Sequence, residues 1–177
     1  MSLRPLSLLL AVAACAHSGP GTPPLRTVER VDLGRYMGTW YEIASFPQSF
    51  QKGCVASTAD YTLRPDGEVT VLNRCRDGSF DGKERSATGR AWVVDPQTNA
   101  RLEVSFFWPF RGDYWIIDLD PEYRWAVVGA PNRKYLWILA RQRALDEATY
   151  QGIVSRAQAQ GFDPSRLQRT PQPPAGG

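Results

Sequence analysis

The stretch Gly38-Thr39-Trp40-Tyr41-Glu42-Ile43-Ala44-Ser45-Phe46 opens a series of short segments rich in β-branched and aromatic residues that continues to Arg141. Pro, Gly, Asp or Asn separates each segment from the next, and these residues are typical of turns. Regular spacing with hairpin-length connections predicts an up-and-down antiparallel meander. The predicted strands cover residues 40–46, 55–63, 68–74, 85–94, 102–107, 114–119, 124–130 and 135–141.

Eight antiparallel strands can close into a barrel that holds one small ligand, and closure removes the exposed edges of an open sheet. We therefore predict an all-β fold, an eight-stranded antiparallel up-and-down β-barrel, in one domain over residues 31–170. One α-helix follows the barrel, because Asp146 can cap it and a single apolar stripe follows. A single apolar stripe indicates that this helix packs against the outside of the barrel. The stripe consists of Tyr150, Ile153, Val154 and Ala157.

The two ends of the barrel differ. Successive turns of a meander alternate between the ends, so the start of the first strand and the finish of the eighth share one end. There the Trp40 indole can plug the barrel while the Arg141 guanidinium lies across its face. Aromatic residues in the turns of the opposite end favour an apolar open mouth; the alternative is that they pack on one another over the rim. They are Phe46, Phe50, Phe107, Trp108 and Phe110.

Alternation along the strands predicts which side chains point into the barrel. Most of them are apolar, and Tyr61, Tyr114 and Trp137 could each donate one hydrogen bond to a head group, which suits an acyl-chain ligand. Burying the roughly twelve methylene groups of an acyl chain would contribute on the order of 10 kcal/mol of favourable free energy before the entropy cost of binding. Non-covalent binding in the barrel is therefore sufficient, and no catalytic step is needed. The predicted ligand-binding residues are Ala44, Phe46, Ala59, Tyr61, Val104, Phe106, Tyr114, Ile116, Val127, Trp137 and Leu139.

The N-terminus has the features of an export signal. Residues 6–14 are almost entirely apolar but too few to span a membrane. Val12-Ala13-Ala14-Cys15 resembles the lipobox of bacterial lipoproteins, in which the cysteine is acylated after cleavage. The alternative is an ordinary cleavage site with Cys15 incidental. We predict a signal peptide over residues 1–14 and a lipidated Cys15, and multiple acyl chains give stable membrane anchoring.

The segments that flank the domain are rich in Gly, Pro and small residues. We predict that residues 15–30, which include the lipidated cysteine, form a flexible tether and that residues 171–177 form a disordered tail. Because Ala16 is not Asp, the lipoprotein resemblance favours the outer membrane, with the domain facing the periplasm.

Cysteine and histidine content limits the chemistry. With Cys15 lipidated, Cys54 and Cys75 form an even pair that flanks the turn at residues 64–67; this predicts a disulfide, and two reduced thiols are the alternative. The only histidine is His17, so the folded domain lacks the histidine of Ser-His-Asp or Cys-His nucleophiles and of His-based zinc sites. No metal or cofactor is predicted, and a net charge of +3 is too small to indicate nucleic acid.

Three motifs resemble the signature of the lipocalin family: Gly38-Thr39-Trp40, Asp120 with Tyr123, and Arg141. The middle motif departs from the usual Thr-Asp-Tyr order. The resemblance covers about residues 31–168 and is strongest to the bacterial lipoprotein members. It implies a calyx for hydrophobic molecules, in those members fatty acids or lysophospholipids. It also implies that Gly38, Trp40, Asp120, Tyr123 and Arg141 are structural and do not contact the ligand.

We therefore expect a membrane-anchored, non-enzymatic carrier or store of a single-chain lipid, present as a monomer or homodimer. Two other functions fit such a barrel. One is an isomerase-like enzyme with Cys54 or Cys75 as nucleophile, although a disulfide between them would leave no thiolate. The other is a tetrapyrrole or carotenoid binder, which the visible absorbance of the purified protein would reveal.

Overall fold

The computed structural model describes residues 23–174, in which one antiparallel sheet closes on itself. Each strand pairs with the next along the chain, and β1 pairs with both β2 and β8, so the predicted eight-stranded barrel is confirmed. Strand β9 adds to β1. The strands are β1 (Gly38–Ser45), β2 (Cys54–Leu63), β3 (Val69–Asp77), β4 (Glu84–Val93), β5 (Arg101–Phe107), β6 (Phe110–Leu119), β7 (Trp125–Gly129), β8 (Leu136–Ala140) and β9 (Gln168–Arg169).

Two α-helices accompany the barrel. Helix α2 (Glu147–Ala159) is the predicted one: the Asp146 carboxylate accepts a hydrogen bond from the Thr149 amide at 2.9 Å, and the apolar stripe faces the barrel wall. Helix α1 (Leu33–Tyr36) was not predicted, because four residues are too few to show a helical period. Within residues 23–174, no helix is long and apolar enough to cross a membrane.

Buried apolar side chains form two clusters on opposite sides of the barrel wall. The inner cluster fills the barrel and includes Trp40, Tyr61, Leu102, Ile116 and Leu139. The outer cluster lies between the wall and α2 and includes Phe46, Val127, Ile138, Ile153 and Phe162. Because β7 and β8 are covered on both faces, their sequences are apolar nearly throughout and carry little alternation.

The closed end has the predicted plug. The Trp40 ring is fully buried, and the Arg141 guanidinium carbon lies 3.8 Å from the ring centroid. Arg141 also donates to the carbonyl oxygens of Thr39 and Met37, each at 2.8 Å. The departure in the middle motif leaves this end intact, since the Tyr123 hydroxyl accepts a hydrogen bond from the Asp32 amide at 2.8 Å.

The N-terminal flank corrects the predicted tether. From residue 23 onward the chain packs on the barrel: Leu25 is buried in the outer cluster, and the Val28 amide donates to the Ile116 carbonyl at 3.0 Å. Val31 is fully buried inside the barrel. The ordered domain therefore begins before residue 31. The predicted signal peptide and Cys15 lie outside the described residues.

The C-terminal flank also differs from the prediction. Above Tyr41, strands β1 and β2 no longer pair, and the chain at residues 168–172 lies along this seam. The Ala56 amide donates to the Pro171 carbonyl, and the Gln172 side-chain amide donates to the carbonyls of Glu42 and Ser57, each at 2.9 Å. Residues 171 and 172 are thus part of the barrel wall, because their hydrogen bonds complete a sheet that the two strands leave open.

The predicted disulfide is present: Cys54 and Cys75 are bonded, with their Cα atoms 5.4 Å apart. It joins the start of β2 to the upper part of β3, beside the open mouth. Both thiols are used in this bond, so neither is available as a nucleophile in this form of the protein.

Candidate functional site

The interior of the barrel becomes more accessible from the closed end towards the mouth. Along the inner face of β5, Leu102 is 5% exposed, Val104 is half-buried and Phe106 is 41% exposed. The Phe106 ring covers Gly89 on β4, where an added Cβ would lie 2.8 Å from a ring carbon. Because Phe106 faces inward and is still reached by solvent, the upper half of the barrel is the candidate binding site.

The lower half is filled by side chains. A cavity of about 10 Å³ remains between the α1 region and the inward-facing side chains, which is room for about one water molecule and for no part of a hydrocarbon chain. Its walls include Tyr36, Leu102 and Ile116. The candidate binding site therefore lies above that layer.

Three phenols form a hydrogen-bonded row across the floor of the site. The hydroxyl oxygens of Tyr36 and Tyr114 are 2.8 Å apart, and the Tyr114 hydroxyl donates to Tyr61 at 2.9 Å. Burial raises the pKa of Tyr61 to about 12 and raises the pKa values of Tyr36 and Tyr114 well above the ordinary value, so all three phenols are neutral at pH 7. Because each phenol has one proton, Tyr36 donates to Tyr114, and the Tyr61 proton remains for an acceptor in the calyx.

A buried carboxylate lies in the wall above this row. Glu42 pairs with the inward-facing Leu139 and is 7% exposed. Its Oε1 accepts hydrogen bonds from the hydroxyls of Ser45, at 3.0 Å, and Thr170, and its Oε2 accepts one from the Gln51 amide at 2.7 Å. The carboxylate therefore holds together β1, the loop before β2 and the C-terminal segment.

The Gln51 amide is oriented by a second contact. The Trp137 indole N–H donates to the Gln51 Oε1 at 3.2 Å, which turns the amide nitrogen towards Glu42. The Trp137 N–H is consequently not free for a ligand head group. Of the three predicted polar anchors, only the Tyr61 hydroxyl retains an unused donor.

The predicted lining residues divide into two sets. Those that face the interior are Ala59, Tyr61, Val104, Phe106, Tyr114, Ile116, Trp137 and Leu139. The prediction that Ala44, Phe46 and Val127 face inward is wrong, since all three belong to the outer cluster beneath α2. Whether the first set contacts a ligand stays a prediction.

A β-bulge in β1 causes part of this error. Glu42 pairs with Leu139 but Ala44 pairs with Ile138, so the alternation shifts by one residue between them. Ser45 then faces inward beside Trp137, and Phe46 packs outside against Phe162, with ring centroids 6.1 Å apart. Strand β7 contains no polar residue from which the sequence could indicate which side chains face outward. In the structure Val127 pairs with the outward-facing Ile138 and faces outward as well.

Several polar residues of the site were not predicted. Gln51 and Thr170 come from a turn and from the C-terminal flank, and neither belongs to the eight predicted strands. Ser57 lies in the bulged part of β2, is 4% exposed, and its hydroxyl has no hydrogen-bond partner among the described residues. In the part of the chain that the structure describes, no cluster of His, Cys, Asp or Glu is placed to hold a metal ion.

Exposed aromatic side chains surround the mouth. We call this set the aromatic rim; its members, 42–76% exposed, are Phe50, Phe80, Phe107, Trp108 and Phe110. Phe80 was not among the predicted residues, and Phe46, which was, is buried. Strand β6 begins at Phe110 and not at the predicted residue 114, which makes the turn before it tight and projects its aromatic residues.

Basic groups accompany the aromatic rim. Arg111 lies over Trp108, with its guanidinium carbon 5.0 Å from the ring centroid. Arg85 donates to the carbonyls of Phe50, at 3.0 Å, and Lys52, at 2.9 Å, and so fastens the loop between β1 and β2 to β4.

Comparison with known proteins agrees with this architecture. A family model described as a lipocalin-like domain matches residues 31–172. The outer membrane lipoprotein Blc of Escherichia coli K12 is 41% identical over 177 residues, covering 97% of this chain and 99% of that protein. Temperature-induced lipocalin-1 of Arabidopsis thaliana is 43% identical over 84% of this chain and 83% of its own.

More distant relatives share the fold. Apolipoprotein D of Macaca fascicularis is 32% identical over 85% of this chain and 81% of its own. Among solved structures, insecticyanin from the tobacco hornworm superposes with a TM-score of 0.67, covering 88% of each chain at 18% identity. At that identity the superposition indicates the fold alone.

Proposed function

The chain belongs to the lipocalin family, and we propose that it is a lipid-anchored envelope protein that holds a single-chain lipid for storage or transport. The candidate ligands are fatty acids and lysophospholipids. The observation that carries the proposal is the gradient along β5, from a sealed Leu102 to an accessible Phe106. A packed base below an inward-facing, accessible Phe106 supports a container that takes a hydrocarbon chain from the mouth.

We propose that binding occurs without catalysis. Both cysteines that could supply a thiolate are in the disulfide, and the described domain contains no histidine. The residues proposed to contact the chain are Ala59, Val104, Phe106, Trp137 and Leu139, with the Tyr61 and Tyr114 phenols at the floor. The predicted contact at Ile116 is not part of the proposal, because Ile116 lies in the sealed layer below.

Native mass spectrometry with lipid extraction tests the ligand class. The full-length lipoprotein, purified from its own envelope, should carry a single-chain amphiphile that displaces a neutral environment-sensitive fluorophore such as N-phenyl-1-naphthylamine. Recovery of no such lipid, together with no displacement by any single-chain amphiphile, would contradict the proposal. Visible absorbance of the same preparation would instead support a pigment ligand.

We further propose that the mouth receives lipid from a membrane surface through the aromatic rim. Exposed Phe and Trp with adjacent arginines suit the interface between head groups and acyl chains. A double substitution, Phe107→Ser with Phe110→Ser, should slow transfer of a fluorescent lipid from anionic vesicles several-fold. Leu63→Ser is the matched control, because Leu63 is 44% exposed at the end of a strand on the closed side. Equal transfer rates in the two variants would remove the rim from the proposal.

The proposed anchor depends on Cys15. Cys15→Ser should abolish incorporation of labelled palmitate and release the protein from the membrane fraction, whereas the calyx, formed by residues after 23, should bind the fluorophore unchanged. Continued labelling of the variant would contradict lipidation at this residue.

A further inference from the structure

The calyx wall contains a buried carboxylate, that of Glu42, with which no cation of the described residues forms an ion pair. The ion pairs of residues 23–174 all involve other carboxylates, and Glu42 receives hydrogen bonds only from neutral side chains. Arg141 is separated from it by the Trp40 plug, and Arg85 is occupied at the rim. Burying a carboxylate without a counter-ion costs free energy of folding, so a cationic group placed beside Glu42 would be favoured there.

The hydrogen bonds of Glu42 leave one of its two oxygens with room for a ligand. The Gln51 amide nitrogen is an obligate donor, and its direction is fixed by the Trp137 indole. Three donors converge on two oxygens, and an ionised carboxylate accepts all of them. Its Oε2 accepts only one of these bonds, so that oxygen can accept another from a ligand.

The neighbouring polar groups are neutral hydroxyls. Ser57 lies directly across the seam from Glu42, since one Gln172 amide bridges their carbonyls, and its buried hydroxyl has no partner among the described residues. Tyr61 has a spare proton at the floor. The lining thus offers hydroxyls and the Glu42 carboxylate. On β4, Arg85 has the inward orientation of Ala91 and Gly89 and lies at the mouth, where its guanidinium is already engaged by the carbonyls of Phe50 and Lys52 and by Asp77.

We propose that Glu42 determines head-group preference: the calyx favours single-chain amphiphiles whose polar end carries an ammonium and disfavours those that end in a free carboxylate. This inference depends on the proposed function, because it requires that the calyx bind a single-chain lipid. Like charges within a low-dielectric barrel repel each other strongly, whereas an ammonium supplies the missing counter-charge. Glu42 is a specificity-determining residue in this view and takes part in no reaction.

A charge series at constant chain length tests the proposal. The carboxylate, primary alcohol and primary amine of one saturated chain, each below its micelle concentration, would compete for the neutral fluorophore bound to the full chain. In the wild-type protein the amine should bind at least about tenfold more tightly than the carboxylate, with the alcohol between them. In Glu42→Gln this order should collapse to within about threefold, because the carboxylate gains affinity and the amine loses it.

Two controls separate charge from structure. Ser45→Ala removes one hydrogen bond to Glu42 but keeps its charge, so the preference for the amine should persist. If Glu42 only supports the wall, Glu42→Gln would weaken all three ligands equally, and the proposal would be wrong. A wild-type protein that prefers the carboxylate would also overturn it. Failure of all three ligands to displace the fluorophore would instead contradict the proposed function.

Discussion

The lower and upper halves of the barrel share the same strands but differ in what fills them. Below, Trp40, Leu102 and Ile116 are sealed, and the remaining cavity is about 10 Å³. Above, Phe106 is accessible, and the wall carries the polar network centred on Glu42. Tight packing stabilises a fold, whereas accessible surface is available to a ligand. The packing that stabilises the fold and the surface of the candidate site therefore lie in separate layers of one barrel.

The strongest test of this comparison removes one tryptophan from each layer. Trp40→Ala deletes a fully buried ring and the surface on which Arg141 stacks, so unfolding in urea should show a loss of about 3–5 kcal/mol. Trp137→Ala removes a half-buried ring of the same size, and its loss should be clearly smaller. Equal losses would mean that the upper layer is packed as a core.

The disulfide supplies covalent support where packing is weakest. Cys54 and Cys75 are separated by 21 positions, and closing such a loop contributes about 3 kcal/mol in the chain-entropy model. A double Cys54→Ala, Cys75→Ala variant should therefore lose about that much stability in urea. Reductant should lower the stability of the wild type and leave the variant unchanged; a wild type insensitive to reductant would contradict this role.

The barrel could be predicted because the features that specify it, β-rich segments and the turns between them, are short and adjacent in the sequence. Turn residues recur between β-rich segments, and meander topology then fixes which strand ends meet, so Trp40 and Arg141 could be paired from the sequence. The helix cap at Asp146 and the disulfide follow from equally short-range patterns.

The interior register was less predictable because a bulge has no sequence signature strong enough to locate it. Between Glu42 and Ala44 the alternation shifts, which moves Ala44 and Phe46 outside. The polar network needs Thr170, which meets Glu42 across 128 positions, and no periodicity reports such a contact. Contacts between irregular segments that are far apart in the sequence therefore could not be predicted.

A finer comparison uses two residues of one strand. Leu102 and Phe106 lie on the same face of β5, at the two ends of the exposure gradient. Leu102→Ala should destabilise the fold by about 2 kcal/mol more than Phe106→Ala does, because only the former enlarges a sealed cavity. Fluorophore affinity should show the reverse, with the larger loss for Phe106→Ala. If both variants changed stability and affinity in the same ratio, the two layers would not be separable.

The smallest effect concerns acid sensitivity of the closed end. Asp120 is buried in the turn between β6 and β7, and hydrogen bonds from the Arg124 guanidinium hold the pKa of its carboxyl below the ordinary value. Because the folded-state pKa is the lower one, this stabilisation is complete above the unfolded pKa of about 3.9 and is lost as pH falls through the folded value. Asp120→Asn keeps the shape and removes the charge, so its melting temperature should lie a few degrees below wild type at pH 7. That gap should narrow as the pH falls below about 4. A gap that stays constant down to the lowest pH at which both proteins fold would mean that hydrogen-bond geometry, and not charge, is what Asp120 contributes to the lower half.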